Sequence, residues 1–425
     1  MCKFALQKPQ TGGAGRQIAT KMEYVYFSLD NVKLIGWVCL AVAFVCVVWL
    51  LWPYRRRVLL PVRVARAEVK GRKAEAEKSE GDSEALQMPD VSVIIYGTGN
   101  VEGLENLLGQ IAAQRYTGKV ETVVVNDGNC EDMSDAVTRF SLLHPEREVY
   151  YTFVPDGARN LSRKKLCLSL GVKAARHEIV VLTTCDCIIC SDRWLERMTA
   201  PMMRGKEVVL GVASMKGLKG AMNRFDEVAT TATWLTSALS GHPYRGTGYN
   251  LAYRRRLFFD NKGFAGSLTL HFGDDDIFVN RIATAENTAV ALGRDALVKV
   301  ISPIPAATYR EQRLRHCYTG RKLRGALRSR LMFAISVAAM WLWLAATAGC
   351  IVMTLPNALP GCVALALLPI LWIPLVVAWK RLGRLMGVSL PAAILPFDML
   401  FHWVRLLVWG IRSGLPSRKN HTWRN

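Results

Sequence analysis

Val91-Ser92-Val93-Ile94-Ile95 sets four apolar residues around one serine and reads as a buried strand. Leu104, Leu107, Leu108 and Ile111 follow at helical spacing. Glu121-Thr122-Val123-Val124-Val125 is a second strand. Leu166, Leu168, Leu170 and Val172 fall in a helix expected to begin near Ser162, and Glu178-Ile179-Val180-Val181-Leu182 is a further strand. This alternation predicts an α/β domain with a mainly parallel sheet, over residues 89–324. Chemistry in such sheets gathers beyond the C-terminal strand ends, so residues just after these strands are the first candidates.

The flanks read as membrane. Residues 32–53 are almost wholly apolar, long enough for a ~30 Å hydrocarbon core, and end on aromatic residues. Arg55, Arg56 and Arg57 follow, so that end is expected on the cytoplasmic side. Residues 1–31 form an irregular N-terminal segment in which Met22 is an alternative start. Residues 54–88 are expected as a charged linker: basic first, to meet anionic headgroups, then acidic and apolar-poor, as frayed helix or disorder. Two more membrane helices are predicted over 331–354 and 361–379, joined by an uncharged turn and followed by Lys380, Arg381 and Arg384. Residues 388–411 carry Asp398, His402 and Arg405 and read as an interfacial helix or a third C-terminal membrane helix, ahead of a basic tail at 412–425.

The 425 residues are 51% hydrophobic, with mean hydropathy +0.16, which suits a part-membrane chain. A net charge of +21 on a soluble protein would point to nucleic acid, but much of it lies beside apolar runs and no aromatic-lined basic stripe accompanies it. No nucleic-acid partner is expected; membrane lipids are. Eleven scattered cysteines read as reduced thiols of a cytoplasmic domain. Cys185, Cys187 and Cys190 form C-x-C-x-x-C without a second pair at zinc spacing.

Four constellations bear chemistry. Asp127-Gly128 ends the second strand and reads either as a turn or as a nucleotide contact. Asp186, in Thr184-Cys185-Asp186, follows another strand and is either a loop residue or a hard-cation ligand on a diphosphate. Asp274-Asp275-Asp276 repel one another; helix capping accounts for one of them, and a general base with a raised pKa for another. Gln312-Arg313-Leu314-Arg315-His316 offers arginine forks to phosphate, or a topogenic flank, or both.

The order of these motifs, from about Val91 to His316, resembles membrane-bound bacterial members of glycosyltransferase family 2 with a GT-A fold. The resemblance implies a nucleotide-binding role for Asp127, a basic loop segment at Arg163-Lys164-Lys165, and a D-x-D metal motif ending on Asp186, which would hold Mg²⁺ or Mn²⁺. It implies an acceptor-side glycine loop at Gly246-Thr247-Gly248-Tyr249-Asn250-Leu251 and a base motif at Asp274-Asp275, with Asp275 as the base. Gln312-Arg313-Leu314-Arg315-His316 resembles the Q-x-x-R-W motif, and Gln312, Arg313 and Arg315 would meet the donor with Lys164 and Lys165. Thr184 stands where the first D of D-x-D belongs, Gly99 and Asn100 where Asn and Glu are usual, and His316 where the final Trp belongs. The expected activity is inverting sugar transfer from a nucleotide-diphosphate donor to a lipid-linked or glycan acceptor, at the cytoplasmic face of an inner membrane.

Two other readings stay open. The departures fit a catalytically inactive scaffold of a glycan-assembly complex. Gly97-Thr98-Gly99-Asn100-Val101-Glu102-Gly103, between strand and helix, fits the pyrophosphate of an NAD(P)-dependent enzyme.

Overall fold

The computed structural model describes residues 29–78, 87–155, 157, 161–270, 273–354 and 359–414. Residues 1–28, the end of the charged run at 79–86, the turn at 355–358 and the tail from 415 lie outside them.

Helix α1 (Leu29–Trp49) passes through a π-helical turn (Leu50–Tyr54) into α2 (Arg55–Lys78). Strands β1 (Val91–Gly97), β2 (Val120–Asp127), β3 (Glu148–Val154) and β4 (Ile179–Thr184) alternate with α3 (Val101–Ala112), α4 (Glu131–Leu143) and α5 (Arg163–Ala174). There follow β5 (Cys187–Ile189), α6 (Trp194–Met203), β6 (Val208–Leu210), β7 (Val212–Met215), α7 (Ala221–Leu239), β8 (Leu251–Arg254), α8 (Arg255–Asp260), α9 (Asp276–Ile282), β9 (Thr288–Val290) and β10 (Leu297–Val300). Helices α10 (Pro305–Gly320), α11 (Ala326–Thr354), α12 (Leu359–Leu385) and α13 (Leu395–Gly414) close the chain.

Seven strands form one sheet in the order β3-β2-β1-β4-β8-β6-β9, and β5-β10-β7 form a small second one. β1 to β4 pair in parallel, while β8 runs antiparallel to both neighbours. The predicted parallel-rich α/β domain is what forms. Tyr96 pairs with Val125 and with Thr184, so β1, β2 and β4 end level. Their C-terminal edge therefore carries the 97–103 loop, Asp127 and Asp186 side by side.

Among the described residues, three helical stretches are long and apolar enough to cross a membrane: Leu34–Gly71, Ala326–Met353 and Gly361–Leu385. They share one buried cluster with the sheet, reaching from Ile94 and Val125 to Trp343 and Trp379. Trp379 joins the two parts, its ring 6.5 Å from Tyr54 and 4.8 Å from Phe225 of α7. Arg55–Lys78, read as a linker, is instead helical. Val58, Val62 and Ala65 recur on one face of α2 and are buried there, against α7 and α12.

Helix α13 turns Asp398, His402 and Arg405 inward. Asp398 and His402 are buried, and Arg405 donates to Asn223 Oδ1 at 2.6 Å. Phe397, Leu407 and Ile411 are exposed.

Candidate active site

Asp127 closes β2. Its carboxylate accepts from Tyr96 Oη at 3.1 Å and pairs with Arg163. Arg163, Lys164 and Lys165 open α5, where the helix dipole opposes cations; acceptors from elsewhere offset that cost. The three side chains go separate ways. Lys164 Nζ lies 2.5 Å from Asp274 Oδ2. Lys165 Nζ donates to the carbonyls of Ser267 at 2.6 Å and Leu270 at 2.7 Å. Fully buried, Lys165 braces the loop before the aspartate cluster, and burial brings its pKa down to about 8. The structure thus corrects its expected donor-binding role.

Asp186 sits in the turn between β4 and β5. Asn100 Nδ2 donates to its Oδ1 at 2.8 Å, and Thr98 Oγ1 lies 3.4 Å from its Oδ2. Asn100 does a second job: its Oδ1 accepts from Gly103 N at 3.0 Å and caps α3. A Cβ on Gly103 would lie 2.4 Å from the Cys185 carbonyl, so only glycine brings α3 this close to the strand end. The 97–103 loop is thereby stitched to Asp186, and to Asn126, whose Oδ1 accepts from Gly99 N at 3.2 Å. Thr184 is buried with its hydroxyl 3.3 Å from Cys187 Sγ, and Cys185 Sγ lies 3.3 Å from Thr98 Oγ1. Among the described residues, no group of three or more His, Cys, Asp or Glu could hold a metal ion. Asp186, oriented by Asn100 and half-buried, is a carboxylate that could serve as one ligand of a hard cation.

Asp274 and Asp275 lead into α9, which Asp276 begins, and the three serve three ends. Burial works against ionising Asp274, but the Lys164 ammonium outweighs it and holds the carboxyl below its ordinary value. Burial, then the Asp274 charge, raises Asp275. Asp275 Oδ2 accepts from Gly248 N at 2.9 Å and Oδ1 from Asp276 N at 2.8 Å, which fixes the carboxyl against the glycine loop. Asp276 is a structural partner: Arg245 Nε lies 2.9 Å from its Oδ1, and Thr319 donates to its Oδ2 at 2.7 Å. Burial still lifts Asp276 to about 7. Lys164 lies between two aromatic rings, 5.7 Å from the centroid of Tyr96 and 5.6 Å from that of Tyr249. Tyr96 therefore links the Asp127 end of the edge to the Lys164–Asp274 end.

Helix α10 divides its motif. Gln312 Nε2 donates to Tyr249 Oη at 3.0 Å, and Arg315 pairs with Glu311. Arg313 is turned away, donating to both oxygens of Asp226 at 2.8 and 3.3 Å. Tyr309 donates to the same carboxylate at 2.6 Å, and His402 lies 3.6 Å from it. A guanidinium so buried and paired is a strut between α7, α10 and α13, which corrects its expected place on the diphosphate. Tyr96 and Asp226 escaped the sequence reading, and Asn100 entered it only as a departure from the family's loop and a member of the glycine run. Tyr96 passes for one more buried strand residue, and Asp226 lies mid-helix with no motif around it.

Residues 37–410 match the model of Glycosyl transferase family 21. The chain belongs to that family. The motif order had pointed to family 2; the match is to family 21, and the domain has the parallel-rich mixed sheet that was expected. As a family 21 chain it is a glycosyltransferase. Among solved structures it is similar to the mannosyltransferase PcManGT from Pyrobaculum calidifontis in complex with GDP-Man and Mn²⁺, at 18% identity, over 88% of this chain and 99% of that one, TM-score 0.44. It is also similar to the glucosyl-3-phosphoglycerate synthase from Mycobacterium tuberculosis in complex with Mn²⁺ and UDP-Glc, at 13% identity, over 50% and 70% of the chains, TM-score 0.32. Among curated proteins none matches.

Proposed function

We propose that this family 21 chain transfers a sugar, with inversion, from a nucleoside diphosphate to a hydroxyl of a lipid-linked or glycan acceptor at the cytoplasmic face of the membrane. The observation that carries this reading is Lys164, held between Tyr96 and Tyr249. It joins the Asp127 end of the sheet edge to the Asp274–Asp275 pair. One end frames the nucleoside and the other offers a base. Asp127 and Tyr96 receive the nucleoside. Asp186 would hold Mg²⁺ or Mn²⁺. Held there, such an ion would supply positive charge to the diphosphate of the leaving group. Gln312 sets Tyr249, and Arg315 supplies cationic charge near that ring.

Asp275 takes the proton of the acceptor hydroxyl. The hydroxyl oxygen bonds to the anomeric carbon, and the bond from that carbon to phosphate breaks on the opposite face. The nucleoside diphosphate departs with the electron pair. Lys164 keeps Asp274 ionised, and that charge keeps Asp275 basic. The exposed apolar residues of α13 and its inward polar face suit a helix lying in the membrane interface. Arg55, Arg56 and Arg57 support a cytoplasmic catalytic domain.

Nucleotide release from UDP- and GDP-sugars tests this, using detergent-purified full chain with Mn²⁺, Mg²⁺ or EDTA and an acceptor-rich membrane extract. Metal-dependent release that disappears in Asp186→Ala is expected. The buried Thr184 and the paired Arg313 favour a second reading, an inactive scaffold, which predicts donor binding without release.

A further inference from the structure

Three buried polar atoms without a hydrogen-bond partner among the described residues belong to the wall of one small space. They are Ser214 Oγ on β7, Glu227 Oε2 on α7 and His316 Nδ1 on α10. The space measures about 50 Å³. At roughly 10–15 Å³ for each water-sized group, it has room for about three. Ser214 is 3% exposed and Glu227 8%. A buried donor or acceptor left unpaired is rare and costly. Three of them, brought to one space by three different elements, mark a site whose partner arrives with a ligand.

The chemistry of the wall narrows the class of that ligand. Glu227 Oε1 accepts from Met215 N at 2.6 Å, so Oε2 alone remains free. Burial lifts this carboxyl to about 7, toward the protonated form that donates. Burial, then Arg245, Arg313 and Arg315, hold His316 well below its ordinary value. Its imidazole is therefore neutral, with one nitrogen an acceptor. The Arg313 guanidinium, also in the wall, is neutralised by Asp226. An anion finds no free cation here, and a cation finds only a carboxyl that resists ionising. A neutral hydroxyl, which both donates and accepts, is matched on each count. His316 also stands where the Q-x-x-R-W motif ends in Trp, and an indole would offer a donor alone.

The space lies one loop away from the base. Gly246, Thr247 and Tyr249 wall it, and between them Gly248 N holds Asp275 at 2.9 Å. Gln312, also in the wall, donates to Tyr249 Oη at 3.0 Å, and the Tyr249 ring stands 5.6 Å from Lys164 Nζ. We propose that this space is a hydroxyl-reading subsite for the sugar being transferred, in which Ser214, Glu227 and His316 bind one hydroxyl arm and so select among donors. This rests on the transferase reading above. A sugar with its anomeric carbon at Asp275 reaches past the glycine loop with its remaining hydroxyls.

The test measures donor binding rather than turnover. Detergent-purified full chain with Mn²⁺ is titrated with UDP, GDP and a panel of their hexose conjugates, then with the singly deoxygenated forms of the tightest binder. One deoxy position is expected to bind about tenfold more weakly than the parent sugar, the worth of one hydrogen bond. Ser214→Ala and Glu227→Met should each weaken the parent sugar by about the same factor and leave the free nucleotide unchanged. On that one deoxy form the same variants should cost nothing further, because the contact is already gone. Glu227→Gln keeps a donor and the acceptor for Met215 N, so it should retain the selectivity that Glu227→Met loses. Thermal unfolding reports whether each variant is folded, and Ser214→Ala removes a single oxygen. Equal losses on parent and deoxy forms overturn the proposal and leave the space to water. Variants that spare donor binding but need more membrane extract for half-maximal release give the hydroxyl to the acceptor, which overturns it too. Nucleotide sugar binding without the coupled loss removes the subsite alone. Failure of every nucleotide and nucleotide sugar to bind removes the transferase reading, and the subsite with it.

Discussion

Lys164 Nζ lies 2.5 Å from Asp274 Oδ2, and the neighbouring Asp275 is held by the backbone N–H of Gly248 at 2.9 Å. One cation thus serves two carboxyls of opposite tendency. Asp274 is kept ionised by contact, while Asp275 is raised by burial and by the Asp274 charge. A carboxyl poised in this way is suited to accept a proton, and its neighbour is suited to hold it in place.

Replacing the base isolates that role. Asp275→Asn keeps the shape and one acceptor for Gly248 but removes the proton acceptor. Turnover should fall roughly 10²–10⁴-fold with donor affinity nearly unchanged. Transfer near the parental rate would remove Asp275 from the reaction.

The pH profile should follow Lys164. A base works deprotonated, so turnover should rise with pH through the raised pKa of Asp275. Lys164 lowers the pKa of both aspartates. Lys164→Met removes that influence, so the acid limb of kcat/KM should move to higher pH. A limb that stays in place would show that the cation does not act on the base, and one that moves down that it acts through the charge it maintains on Asp274.

Asn100 orients Asp186 and caps α3 with the same side chain. Asn100→Ala should weaken metal-dependent nucleotide release about 10–100-fold in metal affinity, as loss of a ligand's supporting bond does. It should also cost about 1 kcal/mol of stability through the cap. Asn100→Asp keeps the cap but sets a second anion against Asp186. A metal titration that separates the two variants checks both roles.

The Arg313–Asp226 pair is structural, so breaking it should unfold the protein before it changes chemistry. Arg313→Ala strands a buried carboxylate and should cost about 3–5 kcal/mol, read as a lower Tm in detergent. The pH dependence has a definite sign. Burial alone would raise Asp226, but Arg313 first among its partners holds it below its ordinary value. Its stabilising contribution is therefore full above the unfolded value and lost as pH falls through the depressed one. A variant with parental Tm and lost turnover would return Arg313 to the diphosphate.

Glu227 runs the other way. Burial lifts it to about 7, and its Oε2 has no hydrogen-bond partner, as suits a protonated acid. The folded state then binds more protons than the unfolded one, so its contribution falls as pH rises from the ordinary carboxylate value to about 7. Glu227→Gln should flatten the decline of Tm over that window, and an unchanged slope would refute the protonated form.

The α/β class, the strand ends and the three apolar helices were all legible in the chain, because period and apolar run length are local properties. So were Asp127, Asp186 and the Asp274–Asp276 run, since an acid straight after a strand, or three acids together, stands out without any partner in view. Partnership is different. Arg163, Lys164 and Lys165 look alike in sequence, yet successive helical residues point roughly 100° apart. One turns to Asp127, one to Asp274 and one to loop carbonyls. Arg313 meets Asp226 from 87 positions away. Neither its charge nor its motif distinguishes that strut from a phosphate ligand. Arg55–Lys78 reads as part of a charged linker, and its apolar stripe is buried only because α7 and α12 lie against it. The sequence alone determined which residues stand at the sheet edge. Tertiary packing decided which of them face one another, because burial and charge pairing depend on neighbours that chain order does not reveal.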